Sequence, residues 1–111
     1  MKLNSGIPLI DTALQNGQGV AIRDESGDHS YQQLVTRAKM LASVLLDGEA
    51  DLSEGRVAFL VPSSFHYVVT QWGTWLAGGV AVPLCTAHPK PELEYVIDNA
   101  EADVLVTHPE Y

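Results

Sequence analysis

Three uninterrupted apolar runs constrain the fold of this chain more than any other feature. They cover residues 57–61, 80–84 and 104–106. A strand that is apolar at every position is covered on both faces, which is typical of a parallel sheet lying between helices. We therefore predict three buried strands in the second half of the chain.

Two segments with helical periodicity separate these runs. The first, residues 64–77, is apolar on more than one side, and Ser63 or Ser64 is placed to cap its amino end. Pro89 and Pro91 open the second helix, because proline is tolerated in a first helical turn. Its apolar positions recur at helical spacing: Leu93, Val96, Ile97 and Ala100.

The first half of the chain has shorter elements. Residues 6–16 predict a short amphipathic helix, and residues 20–23 and 29–31 predict the two strands of a hairpin around an acidic turn. From Tyr31 to about Asp47 an apolar face recurs at helical spacing and predicts a longer helix. That face consists of Leu34, Ala38, Leu41, Ala42 and Leu45.

The order of these elements predicts the fold class, which is α/β. Strand, helix, strand, helix and strand in succession require right-handed crossovers and produce a parallel sheet. Residues 1–55 are expected to form a helix, a β-hairpin and a long helix. Residues 56–107 are expected to form a parallel β-α-β-α-β unit.

The composition of the chain disfavours several classes of protein. Hydrophobic residues make up 46% of the 111, which is enough for a core and argues against disorder. The 14 acidic residues against 6 Lys and Arg give a formal net charge of −8. Phosphate backbones and anionic membrane surfaces repel such a chain, so we expect no nucleic-acid partner.

A membrane span is not expected either, although no Asp, Glu, Lys or Arg occurs between Arg56 and Lys90. A span needs about 20 predominantly apolar residues, and prolines, glycines, serines and a histidine interrupt this window. Residues 1–6 show no secretory leader, and the single Cys85 cannot form an intrachain disulfide. These features predict a reducing compartment, which we take to be the cytoplasm.

Two pairs of glycines lack the context that phosphate binding requires. Gly17 and Gly19 precede a strand, whereas a dinucleotide fingerprint lies at a strand-to-helix turn. Gly73 and Gly78 have the separation of a phosphate loop, but Lys and Ser or Thr do not follow. We interpret both pairs as helix ends or packing positions.

The best candidate for a reactive site lies after the predicted parallel strands. Cys85, Thr86 and His88 follow the second strand and His66 follows the first, at the sheet edge where ligands of α/β proteins bind. An imidazole beside Cys85 could stabilise a thiolate, although the sequence shows no third group to orient it. The alternative is a small buried thiol and a surface histidine.

Two further clusters have structural alternatives to a functional role. The acidic turn could hold a cation or be a solvated hairpin turn; it contains Asp24, Glu25 and Asp28. The aromatic residues of the helix over residues 64–77 are interpreted as core rather than as a cofactor face; they include Tyr67, Trp72 and Trp75. The histidines lie too far apart in the sequence for a zinc motif; they are His29, His66, His88 and His108. We assign no catalytic, cofactor-binding or metal-binding residue.

The order of segments resembles the adenylate-forming acyl-CoA synthetases. Residues 30–34, Ser-Tyr-Gln-Gln-Leu, resemble the first core motif of that family, and residues 75–84, Trp-Leu-Ala-Gly-Gly-Val-Ala-Val-Pro-Leu, resemble the second. Residues 92–105 are similar to the helix and strand that come next, so the likeness runs from about Gly19 to Thr107. Residues 71–97 are most similar to malonyl-CoA synthetases.

This resemblance implies a parent enzyme of which the chain is a fragment. The family activates a carboxylic acid with ATP and Mg²⁺ to an acyl-adenylate and then transfers the acyl group to CoA, in fatty acid metabolism among other roles. Its phosphate-binding loop, ribose-binding acid, magnesium-associated Glu and mobile lysine all lie downstream. The positions that match here, Tyr31, Gly78 and Pro83, are structural: an aromatic anchor, a helix stop and a strand terminator. We therefore expect part of a larger multi-subdomain adenylate-forming domain that is inactive alone and whose partner is the remainder of the synthetase.

Two other classes of function remain open. A stand-alone α/β module could bind a small molecule at the edge near His66, Cys85 and His88. An interaction module could instead self-associate through an exposed apolar face.

Overall fold

The computed structural model of this chain describes residues 6–109. The expectation about a leader at residues 1–6 falls almost entirely outside that range. The elements are α1 Pro8–Gln15, β1 Val20–Asp24, β2 Gly27–Ser30, α2 Tyr31–Leu46, β3 Arg56–Leu60, α3 Phe65–Leu76, β4 Val80–Pro83, α4 Lys90–Asn99 and β5 Val104–Thr107. Across this range, no helix is both long and apolar enough to cross a membrane.

The strands form two sheets. β1 and β2 pair antiparallel as a hairpin. The other three form a parallel sheet in the order β4-β3-β5, in which Val57 of β3 is aligned with Ala81 of β4 and with Val104 of β5. The α/β class and the parallel β-α-β-α-β unit are confirmed.

Burial differs sharply between the central strand and one edge strand. Val57 and Phe59 of β3 are 1% and 0% exposed, whereas Val104 and Leu105 of β5 are 36% and 48% exposed. The prediction of a buried strand is therefore wrong for residues 104–106. It is also wrong for most of residues 80–84, where Val80 is 41% exposed and only Leu84 is buried. β5 has a neighbour on only one side, and α4 contributes no buried residue.

The largest cluster of buried side chains lies among α1, α2 and α3. Ile10, Leu34 and Trp72 belong to it, and Trp75 packs against it, which confirms the assignment of the tryptophans to the core. α2 and α3 approach closely at Gly73, where an added Cβ would lie 3.0 Å from the Ala38 carbonyl oxygen. This position is a packing site, as predicted.

The junction between β2 and α2 contains a capping box. The Ser30 hydroxyl accepts a hydrogen bond from the Gln33 amide at 3.1 Å, and the Gln33 side chain accepts one from the Ser30 amide at 2.8 Å. These bonds satisfy two amides that a helix start would leave unpaired. Tyr31, predicted both as the last residue of a strand and as the start of the long helix, is the first residue of the helix.

The amino end of α3 is capped from outside the helix. Ser64 occupies the cap position, but its hydroxyl donates to the Pro62 carbonyl oxygen at 2.9 Å. The Phe65 amide instead donates to the Asp24 carboxylate at 2.9 Å. The prediction that Ser63 or Ser64 caps this helix with its side chain is wrong, because a residue 41 positions away supplies the acceptor.

Candidate functional site

The strand order decides which of the predicted site residues come together. The carboxyl ends of β3, β4 and β5 lie at one edge of the sheet, with β3 between the other two. His66, in the first turn of α3, therefore meets His108, which follows β5 directly. Their ring centroids are 5.8 Å apart and their planes are tilted by 49°.

Cys85 and His88 lie on the opposite side of β3, after β4. The hydrogen bond between this pair runs from the His88 amide to the Cys85 carbonyl oxygen at 3.1 Å. The His88 ring points to Glu92, with Nε2 4.0 Å from Oε2. Within residues 6–109 no side-chain hydrogen bond joins the thiol to the imidazole, so the geometry does not support a nucleophilic dyad.

The alternative interpretation of Cys85 also needs correction. Its side chain is exposed, not buried. The last buried residue of this stretch is Leu84, whose amide donates to the Phe59 carbonyl oxygen at 2.9 Å. Thr86 and His88 are exposed as well, because the chain leaves the sheet after Leu84 and no described element covers this loop.

Asp24 is the most heavily bonded carboxylate of the acidic turn. One oxygen accepts the Phe65 amide of α3. The other accepts the Ser26 hydroxyl at 2.7 Å and amide at 3.0 Å, and lies 3.1 Å from Nε2 of His29. The bond from the Phe65 amide, followed by that from the Ser26 hydroxyl, holds the pKa of the Asp24 carboxyl well below its usual range.

Neither interpretation of the acidic turn describes Asp24. It is a structural cap, because its lone pairs are already taken by protein donors. Asp28 is likewise paired, with Nε of Arg23 at 2.7 Å, and Glu25 is exposed. No group of three His, Cys, Asp or Glu side chains in the described part of the chain is arranged to hold a metal ion.

Stacking reinforces the contact between the hairpin and α3. The His29 ring lies on the Phe65 ring with centroids 4.1 Å apart and planes within 12°. Together with the Asp24 cap, this stack fixes β1 and β2 against the amino end of α3. The hairpin therefore forms one wall of a cleft beside the sheet edge.

Two neighbouring depressions lie at this end of the molecule. The hairpin cleft lies between the hairpin, α2 and α3, and His29, Arg37 and His66 are among its lining residues. The histidine groove lies between α2, α3 and the end of β5, and is lined by Arg37, His66 and His108 with several apolar side chains. Arg37 and His66 line both.

Sequence reasoning missed Arg37 and His108 as members of this site. His108 lies two positions after the apolar run of residues 104–106, and that position was the available signal. The signal could not be used because the sequence does not tell which strand lies beside β3. Guanidinium and imidazole groups are hydrogen-bond donors, a chemistry suited to ligand binding.

Comparison with known proteins supplies a family for this unit. The AMP-binding enzyme family matches residues 9–111. The mitochondrial malonate–CoA ligase of Homo sapiens is 41% identical over 108 residues, which cover 94% of this chain and 19% of that protein. The enzyme of the same name from Mus musculus is 39% identical over 112 residues, covering 97% of this chain and 19% of the relative.

Solved structures give the same result for the fold. Apo MatB from Rhodopseudomonas palustris superimposes with a TM-score of 0.77 at 34% identity, covering 91% of this chain and 20% of that one. A benzoate CoA ligase from Burkholderia xenovorans LB400 superimposes with a TM-score of 0.84 at 22% identity, covering 98% and 22%. This chain thus spans about one fifth of the length of its relatives. It belongs to the AMP-binding enzyme family.

Proposed function

We propose that this chain is the N-terminal structural part of an AMP-forming acyl-CoA synthetase. The complete enzyme would convert a carboxylic acid and ATP to an acyl-adenylate and pass the acyl group to CoA. The observation that carries this proposal is the family match over residues 9–111, in a chain that covers only 19% of the human malonate–CoA ligase.

The exposed side of the parallel sheet supports the idea that further chain covers this unit. Leu105 of β5 is 48% exposed and Tyr95 of α4 is 69% exposed. Parallel sheets are normally covered by helices on both faces. In this proposal the unit acts as a scaffold, and the remainder of the synthetase packs on β5 and α4.

In this proposal the site for ATP and Mg²⁺ lies on chain beyond the described residues. Adenylation needs cations or a metal ion that converge on the phosphates. Arg23 is paired with Asp28, and Nζ of Lys90 lies 3.9 Å from a carboxylate oxygen of Glu94. We therefore place the contacts to ATP, Mg²⁺ and CoA on the remainder of the enzyme, and we expect the 111-residue chain alone to have no ligase activity.

Acid-dependent exchange between ATP and pyrophosphate tests this proposal. The protein encoded by the complete reading frame is compared with the chain that ends at Tyr111, each with and without acid. We expect exchange by the first and none by the second. Exchange by the shorter chain would show that the unit is catalytic by itself, and a stop codon directly after Tyr111 would remove the proposed parent enzyme.

Malonate is the first acid to test, since relatives in several organisms are named malonate–CoA ligases. A role in fatty acid metabolism depends on that result. The prediction of a cytoplasmic location gains no support from the human and mouse relatives, which are described as mitochondrial. We retain only a reducing compartment, and fractionation of cells that produce the full-length protein would identify it.

The two alternative classes have their own tests. A stand-alone binding module would bind CoA, nucleotides or acids saturably, and His88→Ala would abolish that binding. An interaction module would form dimers or larger species in light scattering without binding small ligands. The exposed apolar residues of β5 favour the second alternative over the first.

A further inference from the structure

One asparagine of this chain is followed by a glycine. Asn16 lies at the carboxyl end of α1, and Gly17 comes next. The side-chain amide of an asparagine can react with the backbone nitrogen of the following residue, because a five-membered ring closes between them. Glycine favours this closure, since it has no side chain and adopts backbone angles that other residues rarely reach. The pair therefore has the covalent chemistry of a deamidation site.

Both reacting groups of this pair are accessible in the fold. Asn16 is exposed, and its side-chain nitrogen donates to the Thr12 carbonyl oxygen at 3.2 Å on the protein surface. The Gly17 amide supplies the attacking nitrogen, and within residues 6–109 it donates to no backbone oxygen. Water thus reaches the side chain, and the attacking nitrogen is not held by a backbone bond of its own.

Asn99 provides a comparison within the same chain. It is exposed and lies at the carboxyl end of α4, but the residue that follows is Ala100. The Ala100 amide donates to the Val96 carbonyl oxygen at 2.9 Å, so its nitrogen is already bonded. The methyl group of Ala100 also restricts the backbone rotations that ring closure requires. Asn99 therefore matches Asn16 in exposure and helix position and lacks both features that favour reaction.

Backbone hydrogen bonds around Gly17 set how readily this turn opens. The Gln32 amide of α2 donates to the Gly17 carbonyl oxygen at 3.0 Å, and the Gly19 amide donates to the Asn16 carbonyl oxygen at 2.8 Å. In this arrangement ψ of Asn16 is 34°, and closing the ring requires rotation about that bond. Reaction in the folded protein therefore follows local opening of the turn, which breaks few contacts on an exposed surface.

We propose that Asn16 deamidates spontaneously in the folded protein through a cyclic imide formed with Gly17. The Gly17 nitrogen loses its proton to solvent and attacks Cγ of Asn16. The new N–Cγ bond replaces the bond from Cγ to Nδ2, and Nδ2 takes up a proton and leaves as ammonia. Water then adds to one of the two imide carbonyl carbons and opens the ring. Opening at Cγ gives aspartate and opening at the main-chain carbon gives isoaspartate, with water as the co-reactant and no oxidation.

The products alter the attachment of α1 to α2. Deamidation places a carboxylate at the carboxyl end of α1, where the helix dipole disfavours negative charge. A carboxylate does not donate to the Thr12 carbonyl oxygen, and isoaspartate inserts an extra carbon into the backbone beside the bond to Gln32. Because Ile10 and Ala13 of α1 are buried in the core, deamidation weakens with time a helix that contributes to the stability of this unit.

Peptide mass spectrometry of the full-length protein after prolonged incubation at neutral pH tests the proposal. Digestion at mildly acidic pH prevents further reaction during the analysis. We expect the peptide containing Asn16 to show the mass increase of an amide converted to an acid. This conversion should be about tenfold faster than that of the peptide containing Asn99, where attack must also break a backbone hydrogen bond. Alkaline pH should accelerate it, because the attacking nitrogen must lose a proton.

Two variants next to Asn16 give a matched comparison. In Gly17→Ala the added Cβ would lie 3.4 Å from the Leu14 carbonyl oxygen and 3.5 Å from Cβ of Gln32, so we expect the variant to fold. It should slow conversion about tenfold, because a β-carbon restricts the rotation that closes the ring. Gln15→Ala changes an exposed side chain outside that ring and should leave the rate unchanged. Circular dichroism checks the fold of both variants.

Three results would overturn the proposal. Absence of conversion at Asn16 in the folded protein, with conversion in urea, would show that the fold holds the turn closed. Equal rates at Asn16 and Asn99 would mean that the glycine and its unbonded amide have no effect. An unchanged rate in Gly17→Ala would exclude attack by the Gly17 nitrogen. Neither ATP nor an acid substrate is added, so these outcomes are independent of the test for ligase activity.

Discussion

Gly78, which ends α3, should tolerate no side chain. Its φ is +81°, a left-handed conformation. An added Cβ would meet the carboxyl group of Asp51, whose Cγ lies 2.8 Å away. Asp51 is not free to withdraw, because its carboxylate accepts the Ser53 amide at 2.6 Å. The surrounding loop is also bonded to the helix end, where the Glu54 amide donates to the Gly78 carbonyl oxygen at 2.9 Å.

Two separable terms determine the free-energy cost of Gly78→Ala. The left-handed conformation costs an L-residue about 1–2 kcal/mol, and overpacking against Asp51 costs about 1–3 kcal/mol. The sum, about 2–5 kcal/mol, is a large part of a typical stability of about 5–15 kcal/mol. Gly48 is a matched control, because its φ is +91° and nothing lies within 4 Å of its added Cβ. Gly48→Ala should cost only the conformational term.

Urea unfolding followed by tryptophan fluorescence measures these costs. The reporter is Trp72, which is 7% exposed and lies on α3, the helix that Gly78 ends. The double variant Gly78→Ala with Asp51→Ala should lose about 1–3 kcal/mol less free energy of unfolding than the two single variants lose in sum. Equal losses for Gly78→Ala and Gly48→Ala, with no coupling to Asp51, would refute the steric part of this reasoning.

Three further predictions concern other parts of the fold. Asp24→Asn should lower the thermal stability at neutral pH more than Glu25→Gln does, because only Asp24 accepts the first amide of α3. Since hydrogen bonds lower the pKa of Asp24, its contribution is present above the unfolded value of about 3.9 and is lost as the pH falls toward the folded value. The melting temperature of Asp24→Asn should therefore change less between neutral and acidic pH than that of Glu25→Gln. An equal change in the melting temperatures of both variants would contradict this. Phe59→Ala should cost about 3–5 kcal/mol in urea unfolding, whereas Leu105→Ala should change stability by no more than about 0.5 kcal/mol in this chain; similar losses would mean that β5 is covered. The thiol of Cys85, which is exposed, should react fully with a thiol reagent in the native state, and reaction only after denaturation would disprove its exposure.

Much of the fold follows from local patterns. The apolar runs located the parallel strands to within about one residue, and the helical periodicities located all of α1 to α4. Helix ends were predictable where the signal is local: Gly78 takes the left-handed conformation that a helix stop requires. The family resemblance rests on these same segments, because their order and spacing are what the AMP-binding enzymes share.

Contacts between distant residues escaped prediction. The cap of α3 comes from Asp24 and not from the adjacent Ser64, since the hairpin brings a carboxylate to an amide 41 positions away. The meeting of His66 with His108 and the separation of both from Cys85 depend on which strand lies beside β3. Apolar runs of similar composition pair equally well in several orders, so the order is decided by the crossovers and not by the runs themselves.

The sequence by itself determined the elements, the α/β class and the membership of a family, because periodicity and turn residues act within a few positions of the chain. Tertiary structure decided the burial of each strand and the composition of the histidine groove. Phe59 and Leu105 are both apolar strand residues, yet the first is 0% exposed and the second 48% exposed. The physical reason is that the burial of a strand depends on the elements that pack beside it when the sheet forms. The central strand β3 has a strand on both sides, whereas β5 has one on a single side.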